Sequence, residues 1–212
     1  LVSISMVHKL KGHYLDVKHP IIVENLMGIR RVKGSIQKGK KPILINHLKS
    51  IINVINEQKN EDIKKLRDKS IILVGFGGGF RRTELISIDH EDLEFVPEGL
   101  KITIKRSKTD QFGEGMIKGL PYFDNETYCP IVNLKKWLEI SKIKSGPIFR
   151  RFSKGLSLAD KRLTDQSVVL LMKKYLNLAG IENKNFAGHS LRSGFATVAA
   201  ESGADERSIM AM

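Results

Sequence analysis

Apolar residues recur at helical spacing through most of this chain, and the interruptions mark where helices stop. Leu44, Leu48, Ile51, Ile52 and Ile55 lie at i, i+4, i+7, i+8 and i+11, so they share one helical face after Pro42. Ile21, Ile22, Leu26 and Ile29 follow Pro20, which suits a first helical turn because its missing N–H has no acceptor there. Residues 1–33 therefore read as two helices. Ile131, Leu134 and Leu138 behind Pro130 predict another helix. Val168, Leu171, Met172 and Tyr175 predict one more, capped by Thr164 or Asp165. Residues 189–201 and 206–212 read as the last helices. Between residues 93 and 121 the period changes to two. Leu93–Val96, a Pro97-Glu98-Gly99 turn and Leu100–Arg106 form a hairpin in which Ile102 and Ile104 alternate with polar neighbours. Ser107–Gly115 is a polar turn, and Met116–Leu120 a third strand. The pattern predicts a mainly α fold with a small three-stranded antiparallel sheet, an α+β class.

One apolar segment fits neither period. A helix is expected to start near Asp68, a good N-cap residue. The stretch Ile71-Ile72-Leu73-Val74-Gly75-Phe76-Gly77-Gly78-Gly79-Phe80 then reads by propensity as a buried strand entering a glycine loop, because β-branched residues and glycine both disfavour helix. Gly75-x-Gly77-x-x-Phe80 lacks the third glycine of a dinucleotide fingerprint, which leaves a nucleotide-binding α/β enzyme as a minor alternative.

Charge narrows the partner class. Of 212 residues, 36 are Lys or Arg and 23 Asp or Glu, giving a formal net charge of +13. That balance favours a polyanion, with nucleic acid ahead of an anionic membrane. Residues 30–42 concentrate it: Arg30, Arg31, Lys33, Lys38, Lys40 and Lys41 occur with no acid, two glycines and a terminal proline. We read 34–42 as a basic linker between a helical segment at 1–33 and a larger domain at 43–212, with those six side chains along DNA phosphates. The alternative is a solvated loop. Cys129 is the single cysteine, so an intramolecular disulfide and a cysteine-based zinc site are excluded, and a reduced, cytoplasmic compartment is expected. The histidines lack zinc-type spacing, and no run approaches the ~20 apolar residues of a membrane span. No metal or cofactor is expected.

The candidate chemistry lies in two clusters more than a hundred residues apart. Arg81 precedes Glu84 by three positions in RRTELISIDHEDL, and His189 precedes Arg192 by three in GHSLRSGF. Residues three apart project from one helical face. Two guanidiniums and an imidazole suit a site that grips a phosphate while its charge grows.

With these motifs and KRSKTDQFGEG between them, the sequence over residues 43–212 resembles the tyrosine recombinase and phage integrase family. Residues 1–33 resemble the last helices of that family's core-binding domain, a less specific match. The resemblance implies a DNA breaking and rejoining enzyme acting through a 3′-phosphotyrosyl link, without ATP or metal. It places the catalytic residues at Arg81, Lys108, His189 and Arg192, with Glu84 in support, and makes residues 71–84 helical. Lys105 and Lys118 compete with Lys108 for the role of acid. His189 either accepts the nucleophile's proton or hydrogen-bonds a phosphate oxygen. The family's nucleophilic tyrosine is expected about a helix and a half beyond Arg192, whereas Tyr14, Tyr122, Tyr128 and Tyr175 all precede His189. The sequence, starting at Leu1, reads as a fragment expected to bind and activate a phosphate without cleaving it, and to be monomeric where complete relatives form tetramers on paired DNA sites. A catalytically inactive DNA-binding remnant is the alternative.

Overall fold

The computed structural model describes residues 2–34, 39–59, 62–105, 115–153 and 157–210. Its contacts divide the chain into two units, Leu1–Gly39 and Lys40–Met212. The first holds α1 (Val2–Leu10) and α2 (Pro20–Lys33). Pro20 opens α2 as expected, and the His19 ring accepts a hydrogen bond from the Ile21 N–H. Neither helix buries a residue.

The second unit is built around α4 (Asp62–Gly77), which packs against α3 (Ile45–Glu57), α5 (Arg82–Ser87), α6 (Pro130–Ser141), α7 (Asp165–Leu178) and α8 (Ser190–Glu201). A short α9 (Glu206–Met210) follows. The expected helical faces are present: Leu48, Ile51, Ile52 and Ile55 of α3 are buried, as are Ile131 and Leu134 of α6 and Val168, Met172 and Tyr175 of α7. Thr164 caps α7 through the Ser167 N–H. Strands β1 (Leu93–Val96), β2 (Gly99–Ile104) and β3 (Met116–Pro121) form the antiparallel sheet, with Val96 paired to Gly99 across a tight turn. Cys129 is a fully buried small residue whose Sγ accepts from the Phe123 N–H.

Two expectations are corrected. Ile71–Gly77 is helix, not strand, and its helix begins at Asp62 rather than Asp68. Every residue from Arg67 to Phe76 is buried, so the helix is enclosed all round there and shows no stripe for a period to reveal. Burial on every side outweighs the few tenths of a kcal/mol by which each β-branched residue disfavours helix. Gly75 serves close packing: a Cβ there would stand 2.9 Å from Leu85 Cδ2 and 3.3 Å from Leu191 Cδ1. Asp68 is not a cap. It accepts from Arg67 Nη2 at 2.7 Å and from the Tyr175 hydroxyl at 2.8 Å, tying α4 to α7 in the core. Sequence pattern also gave no sign of a second hairpin, β4 (Arg150–Phe152) with β5 (Leu158–Arg162).

Candidate active site

The site is organised by the turn that ends α4. Gly78, Gly79 and Phe80 donate backbone hydrogen bonds back to Val74, Phe76 and Gly75. Gly79 adopts φ +54°, and a Cβ there would lie 2.8 Å from Phe195 Cδ1. Glycine is needed on both counts, for the left-handed backbone and for the approach of α8. The turn delivers two carbonyls to one place. Arg192 Nη1 donates to the Gly79 oxygen at 2.6 Å, while Lys118 Nζ lies 3.2 Å from the Gly78 oxygen and 3.5 Å from that of Gly79.

Arg81 follows directly as the N-cap of α5. Glu84, at the third position of the helix, accepts from the Arg81 N–H at 3.0 Å through Oε2 and from Arg81 Nη1 at 2.6 Å through Oε1. The carboxylate is 1% exposed, and Lys118 Nζ stands 3.9 Å from its Oε2. Among the described residues, this buried carboxylate faces Arg81, Lys118 and Arg192. Burial, then the neighbouring Arg81 charge, lowers the Arg192 pKa, and Glu84 opposes the shift. Burial lowers Lys118 further, to about 8, against the pull of Glu84 and with the help of Arg192 and Arg81.

His189 precedes α8 as its N-cap, one turn before Arg192, with its ring exposed. Gly188 leaves room for the Arg82 guanidinium, which a Cβ would displace; Arg82 reaches Asp165 at 3.6 Å. Lys108 lies outside the described residues. Lys105 is engaged elsewhere, paired with Asp92 at 2.8 Å and Asp89 at 3.5 Å, and its bond to Asp92 raises its pKa. Lys118 was legible as a member: it sits two positions from Leu120 on the inward face of β3. The Gly78 and Gly79 carbonyls were not, since a backbone acceptor leaves no mark on residue type.

Of the basic residues at 30–42, Arg30, Arg31 and Lys33 are exposed in the last turn of α2. Lys38 lies outside the described residues. Lys40 Nζ donates to the Lys184 carbonyl at 2.8 Å, and the Lys41 N–H donates to that of Asn185 at 2.7 Å. Among the described residues, no group of three or more His, Cys, Asp or Glu could hold a metal ion, and no helix is long and apolar enough to cross a membrane.

The fold is shared with solved structures at low sequence identity. It matches XerH recombinase bound to a palindromic difH substrate with a TM-score of 0.63 at 18% identity, covering 81% of this chain and 45% of that one. XerA recombinase matches with a TM-score of 0.61 at 16% identity, covering 99% and 62%. The fold is that of the site-specific recombinases. The sequence model of the phage integrase family matches residues 43–212, and the chain belongs to that family. An integrase/recombinase xerD homolog of Selenomonas ruminantium is 43% identical over 199 residues, 94% of this chain and 58% of the relative. Tyrosine recombinase XerD of Staphylococcus haemolyticus is 32% identical over 148 residues, 69% and 45%. The chain thus spans about half the length of the curated relatives it matches.

Proposed function

We propose that this chain carries the phosphate-activating part of a site-specific DNA recombinase, which cleaves and rejoins strands through a 3′-phosphotyrosyl intermediate. The observation that carries the reading is the convergence, among the described residues, of Arg81, Lys118 and Arg192 on Glu84 at the Gly78–Gly79 turn. Two guanidiniums brought to one place suit a phosphodiester that gains charge in its transition state. The guanidiniums of Arg81 and Arg192 suit bidentate bonding to non-bridging phosphate oxygens. Donors fixed in advance toward such oxygens contribute roughly 2.7–4 kcal/mol each, by analogy with an oxyanion hole. Glu84 orients Arg81 and caps its helix. We assign Lys108 to protonation of the departing 5′-oxygen. We place the exposed His189 at the phosphate, where its ring is able to bond an oxygen or take the nucleophile's proton.

We assign the nucleophile to none of Tyr14, Tyr122, Tyr128 and Tyr175. Tyr175 is fully buried, and burial together with Asp68 pushes its pKa up, which removes any tendency to form a phenolate. Tyr128 bonds Asn53, and Tyr122 accepts from Lys135.

In the whole gene product, a nicked duplex carrying the recombination site is expected to give an SDS-resistant protein–DNA adduct. Arg81→Ala and Arg192→Ala are each expected to reduce its formation by about a hundredfold or more. Adduct formation at the wild-type rate in both variants would overturn the site assignment. Duplex binding with no adduct from the wild type would favour a binding module without catalysis.

A further inference from the structure

The ammonium of Lys118 is one of the least expected groups in this molecule. Its side chain is 1% exposed and points inward from β3, on the face that also buries Leu120. Taking an ammonium out of water costs several kcal/mol, and an apolar side chain of similar volume would fill such a place without that cost. Something must hold the charge there, and the surroundings show what. Nζ lies against the Gly78 and Gly79 carbonyls, 3.9 Å from Glu84 Oε2 and 4.9 Å from the centre of the Phe80 ring.

We propose that Lys118 is a positioning residue: it grips the Gly78–Gly79 turn and Glu84 from the buried side, and so fixes the two guanidiniums that meet the phosphate. This inference rests on the phosphate-binding reading of the site. The route is short on both sides. Arg192 hangs from the Gly79 carbonyl that Lys118 also approaches, and Arg81 is oriented by the carboxylate that Lys118 faces. Enclosed among carbonyls and the Phe80 ring, the ammonium supports the site from behind and does not itself touch the substrate. Its role is therefore distinct from that assigned to Lys108.

A positioning charge of this kind is coupled to the ligand. Among the described residues, the charged groups facing Lys118 are Glu84 of α5, Arg81 at the α5 N-cap and Arg192 of α8; α4 and its turn contribute carbonyls. Burial lowers the Lys118 pKa to about 8, and the two arginines add to the shift. An anion between those arginines offsets their repulsion and favours the protonated lysine, so binding takes up a proton above that pH.

The test uses sulfate, an anion that does not titrate in this range, as the probe. Its binding to the 212-residue chain is followed through the Nε–Hε NMR signals of Arg81 and Arg192. Wild-type affinity is expected to hold steady up to about pH 8, then to fall by up to about tenfold per pH unit above it. Lys118→Met is expected to bind sulfate about tenfold more weakly near pH 7, and to lose the alkaline fall. Binding in folded Lys118→Met with wild-type strength and pH profile would overturn the inference while leaving the phosphate site intact. Should the variant not fold, the wild type decides, because a flat affinity from about pH 7 to 9.5 also overturns it. Arginine signals that ignore sulfate in the wild type would remove the phosphate reading itself.

Discussion

Single residues at this site have effects that can be separated by stability alone. Lys118 has a pKa of about 8 in the folded chain and an ordinary lysine value of 10.5 when unfolded. Between those values the unfolded chain holds more protons, so the folded state gains stability as pH rises through that interval. The gain attributable to Lys118 is up to about 3 kcal/mol. Lys69, lowered chiefly by burial, acts in the same direction. Tyr175 acts oppositely: its pKa is raised on folding, so its contribution is present below its unfolded value of 10 and declines above it. The clear interval is therefore about pH 8 to 10, and urea titrations there should show a rise in wild-type stability that Lys118→Met reduces. Gly79→Ala tests the turn itself. A left-handed alanine and a displaced Phe195 are expected to cost about 1–3 kcal/mol in the same titrations, and to weaken anion binding by moving the carbonyl under Arg192. Arg81, Glu84 and Arg192, which the structure brings together, stood out in the sequence through their resemblance to the family's motifs. The turn that aligns them did not, because three consecutive glycines say only that the backbone is permissive.

Elements were legible in proportion to their asymmetry. Helices α3, α6 and α7 each have a buried and a solvated face, and a proline or threonine marks the start of two of them. The β2 strand alternates buried and exposed residues along most of its length, which is why its period of two stood out. Helix α4 has no outward face over its buried stretch, so propensity was the only local signal and it pointed the wrong way. The β4–β5 hairpin carries charged residues and little alternation, yet Arg162 of β5 donates to the Ile86 and Ile88 carbonyls at the end of α5. That contact ties an unpredicted element to the helix bearing Glu84. Helix α4 also carries charge inside the core. Arg67 bonds Asp68 and the Arg150 carbonyl and lies 4.5 Å over the Phe152 ring, while Asp68 also holds the Tyr175 hydroxyl. Asp68→Ala strands Arg67 without its carboxylate and is expected to cost about 3–5 kcal/mol. Tyr175→Phe removes one hydrogen bond from that carboxylate and is expected to cost about 1–3 kcal/mol. Equal losses in the two variants, measured by chemical denaturation, would show that the ion pair itself contributes little.

At the scale of the whole molecule, a net charge of +13 bears on the proposed DNA contact through its salt dependence. Each phosphate neutralised by a lysine or arginine releases counterions, so log K falls with log salt at a slope of about −0.9 per contact on duplex DNA. Arg30, Arg31 and Lys33 end α2 in the smaller unit, exposed and free of nearby acids in sequence, which suits phosphate contact rather than internal pairing. Replacing all three by glutamine is expected to reduce the magnitude of that slope by about 2–3 and to weaken duplex binding with little regard to sequence. Arg192→Ala is a different case. It removes one phosphate contact and should change the slope by about 1 at most, while strand cleavage by the whole gene product falls far more than binding. The slope is therefore the informative quantity, measured by anisotropy on a fluorescent duplex across a salt series. If the triple variant keeps the wild-type slope, the end of α2 does not lie on the phosphates, and the polyanion contact indicated by the net charge belongs to the larger unit alone.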